Sequence, residues 1–180
     1  MYEDLKIVIW PDPRLRKVSD NVAHFNEDLK TLAARMFELM RAARGVGLAA
    51  PQVGHNIRLF VMNHTGKPED DQVFINPVLT EAEGDEEAEE GCLSLPLINV
   101  DIIRSKKLHI AAQDLNGNPF EQNASGYIAR VWQHEFDHLN GVLLTDRMGP
   151  VAKMANRKIL KDLEAKYVAA NPEPVKKPKR

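Results

Sequence analysis

Between Asn26 and Gly45 the residues Leu29, Leu32, Met36, Leu39, Met40 and Ala43 recur at intervals of three and four, which predicts a helix with one apolar stripe facing the core. Asn26 suits the N-cap, Glu27 and Asp28 suit the positive helix start, and Arg41 and Arg44 its negative end. Gly45 is expected to supply a left-handed C-terminal cap. Shorter apolar runs read as strands: Ile7 to Trp10, Arg58 to Met62, and Val73 to Leu79. Asn76-Pro77 interrupts the last of these and places it at a sheet edge. Lys107 to Ala112 and Pro119 to Asn123 flank Asn116-Gly117, a hairpin signal. Ser125 to Leu139 reads as a second helix. Val151 to Ala169 reads as a third, amphipathic through Met154, Ile159, Leu160, Leu163 and Tyr167. The expected class is α+β: antiparallel strands and a hairpin packed around a central helix, with an N-terminal and a C-terminal helix outside.

Composition narrows this. A chain of 180 residues suits one catalytic-sized domain, taken as residues 1–170, followed by a basic, Pro-rich tail at 171–180 expected to be disordered. The net charge of −2 gives no field favouring nucleic acid or a membrane surface. No apolar run approaches membrane-spanning length, and MYEDLK lacks the layout of a signal or transit peptide, so a cytoplasmic location is expected. Seven of the ten residues from Glu81 to Glu90 are acidic, which reads as a solvated loop or edge strand. Cys92 is the only cysteine, so no intrachain disulfide can form.

The chemistry gathers in three stretches. QHEFDHLNG (133–141) sets His134 and His138 four apart, on one helical face, with Glu135 beside them. Two imidazoles and an adjacent carboxylate suit a metal site with a general base, although a solvated helix carries the same letters by chance. A catalytic metal needs a third protein ligand, and no histidine follows His138. EEGCLSLP holds Cys92 in a turn-like setting; as a thiolate it would complete a Cys-His-His set with one open position, although a lone cysteine is more often a small core residue. GVGLAAPQVG (45–54) offers glycines for close backbone approach and the Gln52 amide as a donor to an oxyanion.

In this order and spacing, GVGLAAPQ, EGCLS and QHEFDHL resemble the three signature motifs of the peptide deformylases, over essentially the whole chain. The resemblance implies removal of the N-formyl group from the formylmethionine of nascent polypeptides. It implies one divalent metal, Fe2+ in the family, with Zn2+, Ni2+ or Co2+ also suited, on Cys92, His134 and His138, so that the central helix is the metal-binding one. Glu135 would move protons, and Gln52 with the backbone N–H of Leu93 would donate to the oxyanion. Gly47 would pair with the substrate backbone, and Val46, Leu93, Tyr127, Val131 and the His134 ring would line the methionine pocket. Glu90 and Arg104 are expected to form an ion pair bracing the Cys92 loop, and Asp137 to be a helix-surface acid. Leu97 and Trp132 depart from the family pattern and are expected at the cleft rim. The last helix and the basic tail are a candidate weak ribosome contact. The rival readings are an HExxH metalloendopeptidase, which would need a ligand downstream of His138, and a non-catalytic metal-stabilised domain.

Overall fold

The structure is a computed structural model and describes residues 2–172. Five antiparallel strands form one sheet in chain order: β1 (Gly47–Ala49), β2 (Leu59–Met62), β3 (Gln72–Cys92), β4 (Leu95–Gln113) and β5 (Pro119–Ser125). Around it lie α1 (Glu27–Ala42), α2 (Tyr127–Leu139), α3 (Leu144–Arg147), α4 (Pro150–Ala155) and α5 (Arg157–Ala170). This is the expected α+β class.

The layers follow from side-chain alternation on β2, all four residues of which are buried. Leu59 and Val61 point to one face, where Leu32, Met36 and Met40 of α1 cover them. Phe60 and Met62 point to the other, against α2. Phe74 stacks on Phe60 with ring centroids 4.6 Å apart and meets Trp132 of α2 edge-on at 5.6 Å. Trp132 is therefore a buried core ring and not a rim residue. A third apolar cluster joins Leu95, Ile98, Val100 and Ile102 of β4 to Leu144, Met148 and Leu163.

Several local expectations are corrected. Helix α1 is capped by Asn26, whose Oδ1 accepts from Leu29 N at 3.0 Å, but at its far end Arg44, not Gly45, takes positive φ (56°). A Cβ on Gly45 would sit 2.7 Å from Leu93 Cδ1, so glycine there lets the Leu93 side chain pack close. Ala43 is exposed. Ile7 to Trp10 is extended but belongs to no strand; Val8 N donates to Gln52 O at 2.7 Å and Trp10 N to Ser94 O at 2.9 Å. That segment laces the first two motif loops together.

Strand β3 is not an edge at Asn76-Pro77, because it pairs with both β2 and β4. A bulge between Ile75 and Val78 absorbs the proline. The Asn76 side chain satisfies the interrupted ladder by bonding Val22 N, Val22 O and Gln113 Oε1 at 2.8–2.9 Å. The acidic run continues β3 as a solvated strand paired only with β4, with Glu90 its buried exception. The last helix is broken at Asn156 into α4 and α5, leaving Met154 exposed. Residues 173–180 of the predicted tail lie outside the described residues.

Candidate active site

Helix α2 is docked on the sheet by residues other than the candidate ligands. Gly126 precedes it with a φ of 58° and ψ of −126°, a conformation glycine alone adopts without strain. Gln133 then pairs both its amide groups with the Ser105 backbone on β4, at 2.8 and 3.0 Å. So anchored, α2 turns His134 and His138 toward the tip of the β3–β4 hairpin, where Cys92 is the last residue of β3 and Leu93-Ser94 make the turn.

One donor atom from each of Cys92, His134 and His138 can be chosen so that all lie within 4.8 Å of one another. Cys92 Sγ is 3.4 Å from His138 Nε2. The sulfur–nitrogen separation across a tetrahedral site, from bond lengths of about 2.3 and 2.05 Å, is about 3.5 Å. Among the described residues this is the group with the composition and closeness for a metal, and the donors fit a divalent transition ion.

His134 is oriented from behind. Its Nδ1 donates to Glu90 Oε2 at 3.0 Å, which leaves Nε2 for the site. Glu90 Oε1 accepts from Arg104 Nε at 2.9 Å and from Arg130 Nη1 at 2.8 Å, and its Oε2 accepts from Arg104 Nη2 at 3.0 Å. Burial alone would raise the Glu90 pKa, but the bonds from His134 and Arg104 outweigh it and hold the carboxyl at about 2. Arg104 reaches onward to Asp137 at 2.5 Å, and Arg147 closes the chain at 2.6 and 3.0 Å. Asp137 is thus a buried anchor, not the surface acid expected from its letters.

Glu135 is buried on the same helix, and its Oε2 finds no hydrogen-bond partner among the described residues. Burial pushes its pKa up to about 7. Its neighbour across the cleft is Gly47, where a Cβ would lie 2.4 Å from Glu135 Oε1. Gln52, in a 3-10 turn spanning Ala50–Val53, is 1% exposed. Its Oε1 accepts from Ala49 N at 2.8 Å, which fixes the amide so that Nε2 points at Ser94 Oγ (3.2 Å) and Cys92 Sγ (3.6 Å).

These groups line one cleft of about 380 Å³. Val46, Gly47, Gln52, Leu93, Tyr127 and Val131 all border it, as do Glu90, Cys92, His134 and Glu135. Arg104 and His138 do not; the first stands behind Glu90, and the second reaches the site through Cys92. Sequence reasoning missed Arg130 and Ser94. Arg130 sits one helical turn before His134, and an arginine between Ala129 and Val131 was the available signal that a buried acid awaited it.

A family model described as Polypeptide deformylase matches residues 4–154. The peptide deformylase of Thermotoga maritima is 47% identical over 159 residues, covering 88% of this chain and 95% of that protein. That of Acidobacterium capsulatum is 43% identical over 149 residues, covering 82% and 88%. Among solved structures, a peptide deformylase from Plasmodium falciparum superposes with a TM-score of 0.90 at 39% identity, covering 93% of this chain and all of that one. A Thermotoga maritima peptide deformylase gives 0.77 at 48% identity, covering 81% and 98%. With the donors converging as they do and the match running through all three motifs, the chain belongs to the peptide deformylase family.

Proposed function

We propose that this chain removes the N-formyl group from the formylmethionine of newly made polypeptides, releasing formate and a free amine. The convergence of Cys92, His134 and His138, the first two of them lining the cleft that also holds Glu135 and Gln52, carries this reading. An endopeptidase with the same helix motif would take its third ligand downstream of His138, whereas the donor beside these histidines is Cys92. A structural site would be closed by a fourth protein ligand, and among the described residues the group has three.

Cys92, His134 and His138 would hold the ion, which we take to be ferrous, the same donors also suiting zinc, nickel or cobalt. When bound, the ion supplies Lewis acidity at neutral pH. The chain's residues do the rest. Glu135, poised near neutrality by burial, takes a proton from the attacking water and delivers it to the departing amine. Gln52 Nε2 and the Leu93 backbone N–H donate to the oxyanion; the bond from Ala49 N holds the Gln52 amide ready. Among the described residues strand β1 pairs only with β2, which leaves an edge beside Gly47 for an extended peptide. Val46, Leu93, Tyr127, Val131 and the His134 ring surround the methionine side chain. The reading places the enzyme where formylated chains are made, in bacteria the cytoplasm.

The test is hydrolysis of formyl-Met-Ala-Ser by anaerobically purified wild type and Glu135→Gln, with metal measured on both. The variant should keep its metal and lose about 10²- to 10⁴-fold in kcat. Full activity in a metal-replete variant would refute the assignment.

A further inference from the structure

Where β4 passes Cys92, the sheet carries an interruption that its own packing does not explain. Gly91 pairs with Asn99, yet the next residue, Cys92, pairs with Leu95, so Pro96, Leu97 and Ile98 have no partners on β3. Ile98 turns inward and is buried in the third apolar cluster. Leu97 turns outward, is 87% exposed and has a φ of 67°. Both local terms oppose a leucine there. The left-handed backbone favours glycine or asparagine, and the apolar side chain gains nothing from water.

What the bulge does achieve is placement. Bulges beside functional sites re-aim a side chain, and this one sets Leu97 on the rim of the cleft that holds Cys92, His134 and Glu135. Tyr127, 57% exposed at the start of α2, lines the same cleft. We infer that Leu97 is a specificity-determining residue, covering an apolar side chain in one of the two residues that follow the formylmethionine. The inference rests on the deformylase reading and extends it along the peptide, past the methionine pocket.

Three substrates test it: formyl-Met-Ser-Ser, formyl-Met-Leu-Ser and formyl-Met-Ser-Leu, each with wild type, Leu97→Gly and Leu97→Asn. Wild type should prefer one leucine peptide over the serine peptide, and both variants should lower that preference about fivefold, mainly through KM, as expected when shared apolar cover is lost. Glycine and asparagine relieve the left-handed backbone, so the thermal midpoint should hold or rise; a merely structural leucine would instead lower it and leave the preference alone. Preference ratios unchanged within twofold in both variants would overturn the inference and leave deformylation intact. Failure of wild type to deformylate any of the three would overturn the reading beneath it as well.

Discussion

Gly47→Ala is the smallest change that isolates the chemistry from the fold. The backbone at Gly47 is not left-handed, so alanine brings no conformational strain of its own. It brings one methyl group 2.4 Å from Glu135 Oε1, 2.9 Å from Cδ and 3.0 Å from Cγ. Ordinary contact begins near 3.4 Å, so the carboxylate must retreat by about 1 Å, and it lies in a buried position on a helix that its neighbours hold. A displacement of about 1 Å at a reacting group costs about 10²-fold in rate, which is about 2.7 kcal/mol of barrier. Overpacking should also take about 1–3 kcal/mol from stability. Gly45→Ala is the matched control: its Cβ would meet Leu93 Cδ1 at 2.7 Å, but that is the end of a rotatable side chain that can turn away. Its loss should stay under about tenfold and fall mostly on KM. The assay is kcat and KM on formyl-Met-Ala-Ser at matched metal content, with thermal melts on both variants. A Gly47→Ala enzyme within about threefold of wild-type kcat, or a Gly45→Ala enzyme worse than it, would refute the reasoning.

Cys92→Ser replaces the thiolate with a weak neutral donor, and equilibrium dialysis should show metal retention falling by about tenfold or more; stoichiometric retention would remove Cys92 from the ligand set. Arg104→Met leaves Glu90 and Asp137 buried with one cation fewer, and should cost about 3–5 kcal/mol in urea unfolding; a cost under about 1 kcal/mol would show that Arg130 and Arg147 suffice. The same network sets acid stability. Because the Glu90 pKa is depressed from 4.5 to about 2, its contribution is complete above pH 4.5 and is lost as pH falls toward 2. Arg104→Met should therefore move the acid-unfolding midpoint upward, and an unmoved midpoint would count against the pair as its source.

The candidate ligands Cys92, His134 and His138, which the structure brings together, were legible because their chemistry is local in sequence. The spacing of His134 and His138 fixes their common face, and a thiol after Gly91, with Ser94 and Pro96 following close behind, reads as a turn-like, accessible setting. The acids were less legible. The Glu90–Arg104 pair was expected from their places on either side of the Cys92 loop and is present, but among seven acids in ten residues nothing marks Glu90 as the buried one; the pairing of β3 with β4 decides that. Asp137 failed for the same reason, since its partners are 33 residues upstream and 10 downstream. Gly45 was read as a cap because helix ends commonly use glycine, whereas its reason is Leu93, nearly 50 residues away. Long-range contact decided each of these cases, and local pattern does not encode it.

The two histidines of α2 are held by different forces, and that difference bears on how the site can be ready before an ion arrives. His134 is fixed by charge: Nδ1 bonds Glu90, which two arginines hold in turn, so the ring turns Nε2 to the site in one orientation. Burial alone would lower its pKa, but its bonds to Cys92 and Glu90 push it up, so that an arriving ion displaces a proton. His138 has no such partner among the described residues; its Nδ1 is unbonded and its ring is 1% exposed, against His134 at 5.0 Å between centroids and Cys92. Burial pushes its pKa well below the ordinary histidine value, so it is neutral and able to ligate at physiological pH. Desolvation keeps one ring unprotonated, and an ion-pair chain aims the other. Such a chain is costly to bury and is seldom justified by stability alone. On the proposed function its justification would be orientation, because a donor set already converged in the folded protein would not have to be organised by the metal or by the substrate.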